Sequence, residues 1–153
     1  MRFASLGSGR EGNGLVVEAH GTCGLIDCGF RVRDTVAGLA RLGLAPEAIT
    51  AILVTHEHAD HAGGVAAFAA RYRIPVWLTF GTLETIGYAF ERVDHVRGFD
   101  SHDVFGIGGI EVRPFPVPHD AREPVQFVVG DGARRLGVLA DIGIVTPDVE
   151  ACV

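Results

Sequence analysis

The sequence predicts an α+β fold, with a mixed sheet carrying helices on its outside. Three observations lead there. The chain opens with three short apolar segments at hairpin spacing, continues with strand and helix patterns in alternation, and closes with two further hairpin signals. No repeat, low-complexity tract or linker interrupts the 153 residues, so one domain is expected.

Residues 2–6, 15–19 and 23–26 read as the opening strands, with Gly21-Thr22 as the second turn. Over 30–42 the apolar residues Val32, Val36, Leu39 and Leu42 recur at helical spacing, with Asp34 near the start and Gly43 just past the end. Residues 51–54 form a short apolar run that suits a buried strand. A helix is expected over 63–72, a strand over 76–79 and a helix over 82–90 with Glu84 in its first turn. Strands at 104–107 and 110–115 flank Gly108-Gly109, and strands at 124–129 and 135–140 flank Gly130-Asp131-Gly132. Residues 147–153 look like the start of another helix.

Composition excludes several classes. Hydrophobic residues make up 48% and charged residues 21%, which excludes disorder. The 13 basic residues are all arginine; against 19 acidic residues they leave a net charge of −6. Three cysteines, without a CxxC pair, argue against a disulfide framework and suit a reducing compartment. The N-terminus lacks the apolar core of a signal peptide, and no stretch approaches the ~18 apolar residues of a membrane span. A cytoplasmic protein that does not enter the membrane is expected.

The chemistry concentrates in Thr55-His56-Glu57-His58-Ala59-Asp60-His61. This run follows a buried strand and precedes a helix. Imidazole and carboxylate suit divalent cations, zinc above all, while manganese or iron tolerate the same carboxylates. Extended backbone sends His56 and His58 to one face; Asp60 and His61, at the helix start, can be aimed at a second centre. Gly7-x-Gly9-x-x-Gly12 spells a dinucleotide fingerprint, but 15–17 continue as strand where that motif needs a helix. The loop holding Gly9, Gly12 and Asn13 is either an anion cradle of backbone N–H groups or simply a tight turn. His20, His95 and His102 have no partner pattern and read as ordinary histidines; Cys23, Cys28 and Cys152 read as structural thiols.

His56-x-His58-x-Asp60-His61 resembles the HxHxDH signature of the metallo-β-lactamase superfamily. Leu25-Ile26-Asp27-Cys28-Gly29 looks like its first motif, Pro118-His119-Asp120 supplies the next histidine, and Leu139-Ala140-Asp141-Ile142-Gly143 the later aspartate. The glycine-rich opening and Pro116-Val117-Pro118-His119-Asp120 are similar to the YycJ/WalJ-like metallo-hydrolase branch, some of whose members are described as DNA exonucleases. The resemblance implies the N-terminal portion of an αββα sandwich. It also implies up to two zinc ions: His56, His58 and His119 on the first, Asp60 and His61 on the second, with Asp141 bridging.

By the same resemblance Asp27 is a carboxylate orienting the histidine loop, although a turn aspartate before Gly29 fits the sequence as well. Asp120 is open between a similar role and a cap. The superfamily's last ligand histidine has no counterpart here, so residues 1–153 are expected to be an incomplete domain. The implied function is a metal-dependent phosphodiesterase, most readily a nuclease, in which zinc-activated water attacks phosphorus and Asp60 orients the attacking oxygen. Its partner would be a phosphodiester, nucleic acid above all; oligomeric state is left open. The alternatives are a thioesterase or lactamase on the same fold, and a catalytically silent fragment.

Overall fold

The computed structural model describes residues 1–153, and its strands divide between two sheets. In the first, β1 (Arg2–Gly7), β2 (Gly14–Ala19), β3 (Thr22–Ile26), β4 (Ala51–Leu53), β5 (Val76–Thr79) and β6 (Val96–Phe99) lie side by side in chain order. β1 to β3 run as an antiparallel meander, whereas β3 to β6 pair in parallel. The second sheet is antiparallel, with β7 (Phe105–Ile107), β8 (Ile110–Pro116), β9 (Val125–Gly130) and β10 (Arg135–Val138) in the order β10-β9-β8-β7.

Alternation in the central strands builds the layers. Ile52 and Val54 join Leu25, Val76 and Leu78 in a core beneath the helices, while Ala51 and Leu53 point the other way, into a core shared with Val112, Val125, Phe127 and Val129 of the second sheet. A strand covered on both faces reads as continuously apolar, which is why β4 shows no polar alternation. On the first sheet's outer side lie α1 (Val32–Arg41), α2 (Ala59–Ala62), α3 (Val65–Tyr72) and α4 (Phe80–Ile86). α5 (Pro147–Cys152) closes the outer face of the second sheet, where Val149 packs on Phe115, Val117 and Val128. The order of layers is therefore helix, sheet, sheet, helix. No helix is long and apolar enough to cross a membrane.

Local signals account for most element ends. α1 stops where Gly43 (φ 73°) lets its N–H reach Ala40 O and the Leu44 N–H reach Leu39 O, a paired closure that a left-handed glycine permits. α4 begins two residues earlier than the pattern suggests, because Thr79 Oγ1 accepts from Thr82 N at 3.3 Å and caps it. Residues 87–90 then tighten into a 3₁₀ turn. One strand is absent from the sequence reading. β6 contains Arg97 and Gly98 in only four residues, and it is extended because it pairs with β5 over Val76 to Thr79.

Candidate metal centre

Parallel β3 and β4 end on the same rim, and the loops leaving them meet there. Asp27 leaves β3 in the left-handed region (φ 59°), which turns its carboxylate into the floor of the loop after β4. Its Oδ1 accepts Thr55 N at 2.8 Å; its Oδ2 accepts Thr55 Oγ1 at 2.7 Å and faces His61 Nδ1 at 2.8 Å. Asp27, Thr55, His56 and His61 are all buried. Gly29 lies so close to the Asp60 carbonyl that a Cβ would overlap it, so the two loops interlock only with glycine there.

These bonds fix ring tautomers. The Thr55 hydroxyl has one hydrogen, and Asp27 takes it. His56 Nδ1, 3.0 Å from Thr55 Oγ1, must therefore be the donor in that contact, which leaves Nε2 with a bare lone pair. Burial, reinforced by the neighbouring His61, His119 and His58, lowers the His56 pKa to about 3, so the ring is neutral at pH 7. Nε2 is fully enclosed and has no hydrogen-bond partner. A buried nitrogen left unpaired costs about 1–3 kcal/mol unless something accepts its lone pair. For His61 desolvation pulls the pKa down, but the hydrogen bond and charge of Asp27, joined by Asp141 and Asp60, outweigh it and the net shift is upward.

The second sheet supplies the other wall. Residues after β8 bring His119 Nε2 to 3.3 Å from His58 Nδ1, and residues after β10 bring Asp141 Oδ2 to 3.2 Å from His61 Nε2. One ligand atom from each of His56, His58, His119 and Asp141 lies within 4.8 Å of the others, and the same holds for Asp60, His61 and Asp141. Asp141 belongs to both groups. The donor set, three imidazoles and a carboxylate around an unpartnered buried nitrogen, fits a divalent metal. All six residues expected to hold metal, and Asp27 beneath them, are thus brought together.

The loop of Gly9, Gly12 and Asn13, open above between an anion cradle and a tight turn, spends its N–H groups on the chain itself. Gly9 N donates to Asn13 Oδ1, Gly12 N to Gly9 O, and Asn13 N to Asp60 O, so all three N–H groups are consumed inside the hairpin or by the histidine loop. Three residues to which the sequence alone assigns no role support the site. Thr55 links Asp27 to His56, and its place before the motif was the available signal. Gln126, fully buried in β9, accepts Ala140 N at 2.9 Å and so holds the backbone next to Asp141. Glu57 Oε1 accepts Arg122 N at 2.6 Å, tying the histidine loop to the segment after His119. His20, His95 and His102 are exposed and away from the cluster. Burial pushes the Cys28 thiol up to about 11, in keeping with a structural role.

A family model described as the β-lactamase superfamily domain matches residues 24–153. The chain belongs to that superfamily. Among curated relatives of this superfamily member is exodeoxyribonuclease YycJ of Bacillus anthracis, 32% identical over 155 residues, which span all of the chain and 59% of the relative. Exodeoxyribonuclease WalJ of Streptococcus pneumoniae is 28% identical over 95% of the chain and 56% of its own length. The chain thus spans well under two thirds of either relative. Among solved structures, zinc-bound PqqB from Methylobacterium extorquens superposes with a TM-score of 0.74 at 20% identity, over 91% of this chain and 56% of that one. This likeness establishes the superfamily's fold.

Proposed function

We propose that this chain carries the metal-binding part of a hydrolase that cleaves phosphodiesters, and that its substrate is nucleic acid. The observation behind the reading is the pair of ligand groups that share Asp141 on one open rim. His56, His58 and His119 would hold one zinc ion, Asp60 and His61 a second, with Asp141 between them. Bound there, such ions supply Lewis-acid polarisation of a phosphoryl oxygen and a more acidic water.

The chain's own residues prepare that chemistry. Asp27 keeps the Nδ1 proton on His61, and Thr55 keeps it on His56, so both rings turn a lone pair toward the cluster. Asp60, only partly enclosed, has a carboxylate near His61 Nε2 (3.6 Å) that can orient an attacking oxygen. The preference for nucleic acid over another ester is supported by the names of the two relatives, both exodeoxyribonucleases.

Metal analysis of the purified chain, with hydrolysis of labelled DNA, bis(p-nitrophenyl) phosphate and a thioester, tests the proposal. Zinc uptake abolished by His58→Ala but not by His95→Ala, together with cleavage of a phosphodiester, is the expected result. Cleavage of the thioester alone would replace the nuclease reading.

A further inference from the structure

Asn13 stands where the glycine hairpin meets the turn through Asp60 and His61, and it makes more bonds than the hairpin needs. Its N–H donates to Asp60 O at 2.7 Å, its carbonyl accepts Gly29 N at 3.0 Å, and its Oδ1 accepts Gly9 N at 3.0 Å. The last of these closes the hairpin, and the first two fasten it to the neighbouring loops. The amide nitrogen Nδ2 is a separate matter. It lies 3.2 Å from Gly9 O, 3.2 Å from Asp60 O, 3.2 Å from Asp60 Oδ2 and 3.1 Å from His61 Nε2. An amide nitrogen has two hydrogens, so it cannot serve four acceptors at once.

Two of the four are backbone carbonyls. The other two, Asp60 Oδ2 and His61 Nε2, are side-chain atoms of the second ligand group. His61 commits its Nδ1 to Asp27, so Nε2, which faces the Asn13 amide at 3.1 Å and Asp141 Oδ2 at 3.2 Å, is the ring atom left to a cation. The amide therefore puts partial positive charge beside the lone pairs that a cation would seek. If a cation takes those two atoms, Gly9 O and Asp60 O remain as acceptors for both hydrogens. Nothing is left unpaired by the exchange, so its cost is small.

We propose that Asn13 is a positioning residue of the second metal centre: its amide holds Asp60 and His61 in ligating orientation by donating to the lone pairs the ion takes, and releases them when the ion binds. The inference rests on the metal-binding half of the function proposed above and is independent of the substrate. It also separates the roles of the two Asn13 side-chain atoms, since Oδ1 serves the hairpin and Nδ2 serves the ligands.

The test uses the ¹⁵N-labelled wild-type chain titrated with zinc, following the side-chain NH₂ pair of Asn13 after through-bond assignment. The pair is expected to shift as the second ion binds, after the first has been taken up. In parallel, calorimetric titration compares wild type with Asn13→Asp, which keeps the acceptor for Gly9 N and replaces the donor by an anionic oxygen. The variant loses the donor that orients Asp60 and His61 and is expected to bind the second ion about tenfold more weakly despite its added negative charge, with the first ion unchanged. Zinc uptake that leaves the amide pair unmoved at every ratio overturns the inference and spares the metal-binding reading. Equal or tighter affinity of a folded Asn13→Asp chain for the second ion also overturns it. A wild-type chain that takes up no zinc overturns both.

Discussion

Asp27 Oδ2 lies 2.8 Å from His61 Nδ1, and the same carboxylate receives both the N–H and the hydroxyl of Thr55. One buried side chain at the end of β3 therefore sets the orientation of two rings in the loop after β4. It does so from a left-handed backbone conformation that aspartate and asparagine tolerate better than most residues.

That relationship predicts the effect of Asp27→Asn. The amide preserves shape and backbone tolerance, but it removes the charge and places either a donor or a weaker acceptor against His61 Nδ1. A loss of about 1–3 kcal/mol in folding stability is expected, as for a buried charge-assisted hydrogen bond. Zinc affinity should fall by about 10- to 100-fold. Denaturant melts and zinc titration of the variant check both numbers; wild-type zinc affinity would remove Asp27 from the support of the site.

The pH profile of the metal-free chain follows from opposed shifts. His56, held down to about 3, stays neutral in the folded chain while the unfolded chain takes up a proton near its ordinary value of about 6.5. Its contribution to stability is present above about pH 6.5 and is lost as pH falls toward 3. His61, shifted upward, contributes below about 6.5 and fades as pH rises through its raised value. The expected result is a melting temperature that falls between pH 6.5 and 4.5, and less so in His56→Gln. Parallel profiles for the two chains would contradict it.

Gln126→Leu separates stability from metal binding. The change loses the bond to Ala140 N, but it also deletes Nε2, a buried amide nitrogen without a partner. These effects oppose each other, so folding stability should change by less than about 1 kcal/mol. The segment carrying Asp141 loses its tether, and zinc affinity should drop about tenfold. Denaturant unfolding beside a zinc titration distinguishes this from simple destabilisation.

Gly29→Ala asks whether the interlock of the two loops matters. A methyl group at this position overlaps the Asp60 carbonyl, which is backbone and cannot rotate away. A cost of about 3 kcal/mol or more is expected, at the upper end for overpacking. Urea unfolding measures it, and a loss below about 1 kcal/mol would mean that the loop yields easily.

Much of this was legible in the sequence for identifiable physical reasons. The four ligands of the run His56 to His61 share one loop, so spacing alone brings them together. His119 and Asp141 stand on other loops, and only family resemblance connected them to the first four. β4 was legible because a strand covered on both faces is apolar throughout. β6 was not, since Val96 to Phe99 is extended through its neighbour rather than through its own propensities. Gln126 gave a faint signal, one polar residue within a strand that is buried along its whole length. The use of the Asn13 amide could not be read at all, because it depends on how close a distant hairpin comes to Asp60.

The rim draws its ligands from both sheets, His58 from the loop after β4 and His119 from the segment after β8, 61 residues apart. A chain in which only the first sheet has formed still displays the run His56 to His61 but has neither His119 nor Asp141 beside it. The complete ligand set therefore exists only after the two sheets have docked, so tight cation uptake would proofread the finished fold and discriminate it from half-assembled intermediates.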